Sequence, residues 1–150
     1  EHFIANPSNI GDLTRASDLI NATSIVRVPR PEYQLIYHAL DLGAQGIAVP
    51  HVKSKEDAEL VVSASKFAPL GKRGMFTSRQ GIGIENYFKK ANDETFVLVF
   101  IEDMEAIENL DSIVLKKTKT LIDSLILSII FIAGIIFASR YEMKISFFFF

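Results

Sequence analysis

The chain has 150 residues, enough for one domain that buries about 70% of the surface its unfolded form exposes. Its formal charge of −2 leaves no overall basic field for gripping a phosphate backbone, so no nucleic-acid partner is expected. The absence of cysteine excludes a disulfide framework, a thiolate metal site and a thiol nucleophile, which fits a cytoplasmic protein.

The chain opens on Glu1, and nothing near it reads as a basic segment followed by an apolar one. No signal peptide is read there, and the chain is expected to begin inside a larger protein. The stretch "SNIGDLTRASDLIN" places Ile10, Leu13, Ala16, Leu19 and Ile20 at helical spacing, with Ser8 or Asn9 as cap. "SIVRV" then reads as a strand that closes on the charge of Arg27. "RPEYQLIYHALDLG" predicts a helix with Pro31 near its first turn and Gly43 at its end.

A second strand, "GIAVP", follows and turns at Pro50 into His51. "SKEDAELVVSASKF" predicts another helix, capped by Ser54, with Glu56, Asp57 and Glu59 in its first turns, where the helix dipole favours acids. Its apolar face reads as Ala58, Val61 and Val62, continued by Ser65. After the Gly-rich loop "GKRGMFTSRQGIGIE" come a short helix in "IENYFKKAN", the apolar strand "TFVLVFIE" ending on Glu102, and a helix over "DMEAIENLDSIV". Lys72 and Arg73 read as a solvated turn, and His38 and His51 as structural or solvated.

Repeated strand and helix units with continuous apolar strands imply a parallel sheet covered by helices. No G-x-G-x-x-G follows any strand, so the dinucleotide fingerprint of a doubly wound sheet is missing and an α/β barrel is favoured. In a barrel, function collects at the carboxyl ends of the strands.

From Leu115 the composition changes to "LKKTKTLIDSLILSIIFIAGIIFASRYEMKISFFFF". Ser124 to Ser139 carries no charge, a run short of the roughly 20 residues that span a bilayer. Two readings stand for this tail, residues 115–150: a membrane helix over 121–138, or a mistranslated segment of the kind AT-rich DNA yields when read out of frame.

In order, "EHF", "IVRVP", "HALDLGAQGIAVPHVKSKEDAE", "GKRG", "YFKKANDE" and "VLVFIEDMEAIENLDSI" resemble the HpcH/HpaI aldolase family, which also includes the citrate lyase beta subunit. The resemblance covers residues 1–114. It implies a (β/α)8 TIM barrel, present here as a fragment of about strands 2 to 5, with the tail unrelated to it. It further implies a class II pyruvate aldolase that cleaves 4-hydroxy-2-oxo acids, such as 4-hydroxy-2-oxoheptanedioate or 2-dehydro-3-deoxyglucarate, to pyruvate and an aldehyde. The cofactor implied is a divalent metal, Mg²⁺ or Mn²⁺, and relatives are homo-oligomers.

Residue by residue, the resemblance makes His2 of the E-H pair the catalytic histidine. Arg27 of "VRVP" becomes the substrate-binding and catalytic arginine, Asp41 of "LDLG" the acid that orients the histidine, and Glu102 of "VFIE" the first metal ligand. These types suit the chemistry, since cleavage leaves a pyruvate enolate whose negative charge needs a cation and a guanidinium beside it. An imidazole near neutrality can move the hydroxyl proton. Read without the resemblance, Arg27 is a strand-end charge paired with an acid, Asp41 an acid near a helix C-terminus, and Glu102 a helix cap.

The sequence departs from the family in three places. Phe100 stands where V-Q-I-E has Gln, "EHFIANPSN" replaces E-H-G-P, and the second metal ligand, an aspartate in G-P-x-D-L, is absent from this chain. Two functions of different class follow: an aldolase that is inactive as this truncated chain, or a degenerate half-barrel acting as a membrane-attached binding protein.

Overall fold

The computed structural model describes residues 7–75, 79–114 and 145–148. The membrane helix read at 121–138 lies outside the described residues, as does His2. Among the described residues no helix is long and apolar enough to cross a membrane.

The chain alternates helix and strand as its patterning requires: α1 (Pro7–Leu19), β1 (Thr23–Arg27), α2 (Tyr33–Asp41), β2 (Gly46–Val49), α3 (Lys55–Ser65), a 3₁₀ turn (Arg79–Gly81), α4 (Tyr87–Glu94), β3 (Phe96–Val99), α5 (Met104–Glu108), α6 (Leu110–Ile113) and β4 (Ile145–Phe148). The strands form one parallel sheet in the order β3-β2-β1-β4. Parallel strands need a crossover between them: α2 joins β1 to β2, and α3 and α4 join β2 to β3.

Register separates two faces. Val26 pairs with Ile47, which pairs with Val97, and this row joins Ile36, Leu40 and Val61 in the main apolar cluster beneath the helices. The opposite row brings Arg27, Ala48 and Leu98 side by side.

The helix α1 lies in place but turned from its expected face. Ile10, Thr14 and Ser17 are buried while Leu19 and Ile20 are 86% and 68% exposed. Small hydroxyl side chains let α1 approach closely: Thr14 Oγ1 donates to Leu42 O at 2.8 Å and Ser17 Oγ to Leu13 O at 3.0 Å. Ser8 and Asn9 lie inside this helix rather than capping it.

Gly43 ends α2 with φ 111°, and a Cβ there would stand 2.7 Å from Thr14 Oγ1, so both conformation and space select glycine. Ser54 caps α3 through a capping box, its Oγ accepting from Asp57 N at 3.1 Å while Asp57 Oδ2 accepts from Ser54 N at 3.2 Å. Val61, Ala64 and Ser65 form the buried face of α3, with Ala64 taking the place expected of Val62. The single helix read in "DMEAIENLDSIV" is two, α5 and α6, because Asn109 leaves the helical path and donates Nδ2 to Lys53 O at 3.0 Å.

Arg73 is not solvated. It is 5% exposed, pairs with Asp41 at 2.9 Å and lies 4.5 Å from the Phe67 ring centroid. Beside it Lys66 is buried and donates Nζ to Asn92 O at 2.7 Å and Thr95 O at 2.8 Å, with burial lowering its pKa to about 8. Asn92 completes the joint, accepting from Phe67 N at 2.7 Å and donating to Phe67 O at 3.0 Å.

Candidate active site

Because all strands run the same way, their carboxyl ends collect the residues that follow them. Arg27 is the last residue of β1, Pro50 and His51 follow β2, and Phe100, Glu102 and Asp103 follow β3. The Arg27 guanidinium carbon stands 6.0 Å from the Phe100 ring centroid, within cation–π range. Phe100 therefore holds an apolar face beneath the arginine.

Glu102 is exposed, and its Oε1 accepts from His51 N at 3.1 Å. His51 Nδ1 lies 3.1 Å from Asp103 Oδ2 and 3.4 Å from Glu102 Oε1, and Lys53 Nζ reaches Asp103 Oδ2 at 3.7 Å. Asp103 rather than Glu102 occupies the N-cap position of α5. Patterning alone passed over His51 and Asp103; their only signal was a histidine after the proline that ends one strand and a paired Glu-Asp after another.

Asp41 is at the other end of the sheet. It closes α2, the helix that returns from the carboxyl end of β1, and so lies toward the amino ends of the strands, held by Arg73. A hydrogen bond to this carboxylate and its negative charge raise the Tyr37 phenol above its ordinary 10. Within one chain the fold thus brings Arg27 and Glu102 to one edge and keeps Asp41 at the opposite one. A cavity of about 480 Å³ also opens at that amino edge, lined by Gln45, Arg73, Tyr87, Lys90 and Glu94, and it shares no residue with the strand-end set.

Among the described residues no group of three or more His, Asp and Glu side chains is arranged to hold a metal ion unaided. Glu102 fits as a single hard ligand: a carboxylate on a strand-end edge, open to water. Mg²⁺ commonly takes only one or two carboxylates and completes its shell with water and substrate oxygens.

A parallel sheet with helical crossovers, and an arginine and an acid at its carboxyl edge, define an α/β fold of the kind that builds enzyme sites at strand ends. The chain belongs to the HpcH/HpaI aldolase/citrate lyase family, whose model matches residues 8–133. A 2-keto-3-deoxy-L-rhamnonate aldolase of Klebsiella pneumoniae subsp. pneumoniae is 38% identical over 115 residues, 71% of this chain and 43% of that protein. Among solved structures, the HpcH/HpaI aldolase from Desulfitobacterium hafniense superposes with a TM-score of 0.68 at 31% identity, over 75% of this chain and 45% of the other. The citrate synthase SbnG gives 0.65 at 34% identity, over 75% and 44%. The chain therefore spans less than half the length of these relatives.

Proposed function

We propose that this chain is part of a (β/α)8 barrel aldolase that cleaves 4-hydroxy-2-oxo acids, of the 2-keto-3-deoxy sugar-acid class, to pyruvate and an aldehyde in the cytoplasm. The observation that carries the reading is the placement of Arg27 and Glu102 on one carboxyl edge in a member of an aldolase family. The names of the relatives support the substrate class, since a 2-keto-3-deoxy sugar acid is a 4-hydroxy-2-oxo acid.

In this reaction the C3–C4 bond breaks, the C4 hydroxyl gives up its proton as the aldehyde forms, and the electron pair of the bond becomes a pyruvate enolate. Protonation of C3 then yields pyruvate. A divalent cation such as Mg²⁺ or Mn²⁺, when bound, supplies positive charge at the enolate oxygen. Glu102 is the residue of this chain that holds it, by a carboxylate oxygen. Arg27 binds the substrate, its guanidinium backed by Phe100 so that the N–H groups face the developing oxyanion. His2 takes the C4 hydroxyl proton directly or through water. In this reading Asp41, which Arg73 holds at 2.9 Å, is the acid that orients that imidazole. The active protein is a homo-oligomer.

The polypeptide alone lacks a G-P-x-D-L aspartate and is expected to be inactive. The test grafts residues 8–114 into the Klebsiella relative in place of its matched segment. Exchange of pyruvate methyl protons with D₂O is then followed by NMR with Mn²⁺. Exchange should occur in the chimera, be absent from the chain alone, and fall about 100-fold on Arg27→Ala, the usual scale for one oxyanion donor. A folded chimera without exchange, or one indifferent to Arg27→Ala, refutes the reading.

A further inference from the structure

His51 sits where the β2–α3 and β3–α5 loops meet. Its φ of 56° is in the left-handed region, which costs a residue with a Cβ on the order of 1 kcal/mol and persists only where the surroundings hold it. What holds it is on both sides of the peptide and the ring. The backbone N–H donates to Glu102 Oε1 at 3.1 Å. Ring Nδ1 is 3.1 Å from Asp103 Oδ2 and 3.4 Å from Glu102 Oε1, and since a carboxylate only accepts, Nδ1 carries the proton of these contacts. Two adjacent acids, which would repel one another, are thus gathered on one imidazole.

The neighbouring chain is tied down as well. Lys53 Nζ reaches Asp103 at 3.7 Å and Glu105 at 3.9 Å, and the Lys53 carbonyl is held by Asn109. Each of these contacts on Glu102 uses Oε1, and among the described residues Oε2 has no hydrogen bond.

We propose that His51 is a positioning residue for Glu102: its backbone N–H and ring Nδ1 fix one carboxylate oxygen so that the other faces outward for a divalent cation. This rests on the reading of Glu102 as a metal ligand and adds what orients it. Partners of this kind, one bond removed from a metal, commonly change its affinity 10- to 100-fold.

The probe is Mn²⁺ alone, titrated into the purified full chain with free Mn²⁺ read by electron paramagnetic resonance. His51→Gly keeps the left-handed backbone and its N–H while deleting the ring. His51→Asn also tolerates that backbone and returns a side-chain donor for Asp103. Binding should vanish in Glu102→Gln, weaken about tenfold in His51→Gly, and recover most of the loss in His51→Asn. Thermal melts run in parallel identify a purely structural role, which would move the melting point and leave Mn²⁺ affinity alone. If Glu102→Gln abolishes binding while His51→Gly matches the wild type, the positioning role is overturned and the ligand stands. If Glu102→Gln binds Mn²⁺ as the wild type does, or neither binds, the ligand reading falls and the positioning role with it.

Discussion

Asp41 and Arg73 show how a residue's motif and its surroundings can point different ways. The "LDLG" pattern marks Asp41 as functional by resemblance, and its place near a helix C-terminus, where acids are disfavoured, adds to that impression. The fold gives it a local partner instead, since the side chain of Arg73 is 3% exposed and its guanidinium takes Asp41 at 2.9 Å. No spacing rule links positions so far apart in sequence, which is why Arg73 read as a solvated turn. That Arg27 and Glu102 share an edge was legible, because Arg27 ends one apolar strand and Glu102 closely follows another, and parallel strands bring such ends together. The Asp41 pair has a measurable consequence. Asp41→Ala should cost about 2 kcal/mol in urea unfolding, the scale of a hydrogen bond to a charged group. The loss should shrink when Arg73→Met is already present, because the buried cation no longer lacks its partner. Additive losses in the double variant would show that the pair is not coupled.

At the scale of elements, strands and crossover helices followed from apolar runs, Ser54, Pro31 and Gly43. What patterning misjudged was contact. Nothing local distinguishes Leu19 and Ile20 from core residues, yet α1 buries Thr14 and Ser17 because hydroxyls that bond backbone carbonyls permit the closer approach. Asn109 likewise interrupts a helix for the sake of the Lys53 carbonyl, a partner remote in sequence. Lys66 is the clearest such case, an amine that joins the end of α3 to the end of α4 by two carbonyls. Its folded pKa is lowered to about 8 from 10.5, with burial as the main cause, a neighbouring Asp93 opposing the shift and Arg73 adding to it. Between those values the unfolded chain binds more protons than the folded one, so stability should rise with pH through that window and be flat below it. Urea midpoints at pH 7.5, 8.5 and 9.5, roughly bracketing the lower arm of that window, should climb for the native chain and stay level for Lys66→Met. The slope is the diagnostic quantity, since Lys66→Met also leaves two carbonyls without a donor and shifts every midpoint together. A native midpoint that is level across the same range would mean the amine is charged and solvated.

For the whole molecule the decisive feature is that, among the described residues, the sheet is open. Among the described residues β3 lies at one edge of four parallel strands, with its outward N–H and C=O groups unpaired by another strand. A closed barrel removes both edges, whereas an open parallel sheet leaves them as templates for another chain. The matched segment covers 43% of the Klebsiella relative and 45% of the Desulfitobacterium structure, so more than half of each lies outside the match. Exposed apolar side chains point the same way, with Met104 at 72% and Ile107 at 53% forming one face of α5. Together these predict that the chain, purified alone, self-associates through backbone pairing and apolar contact. Sedimentation velocity should show oligomers at micromolar concentration that high salt does not disperse, because charge pairs do not hold them. The grafted chimera, in which the relative's own strands cover the β3 edge, should sediment as a discrete species. A charge placed on the strand, Leu98→Lys, should reduce association of the isolated chain, as inward charges do on natural edge strands. If the isolated chain sediments as a monomer, the edge is already covered within one molecule, and the half-barrel description must give way to a sheet that closes on itself.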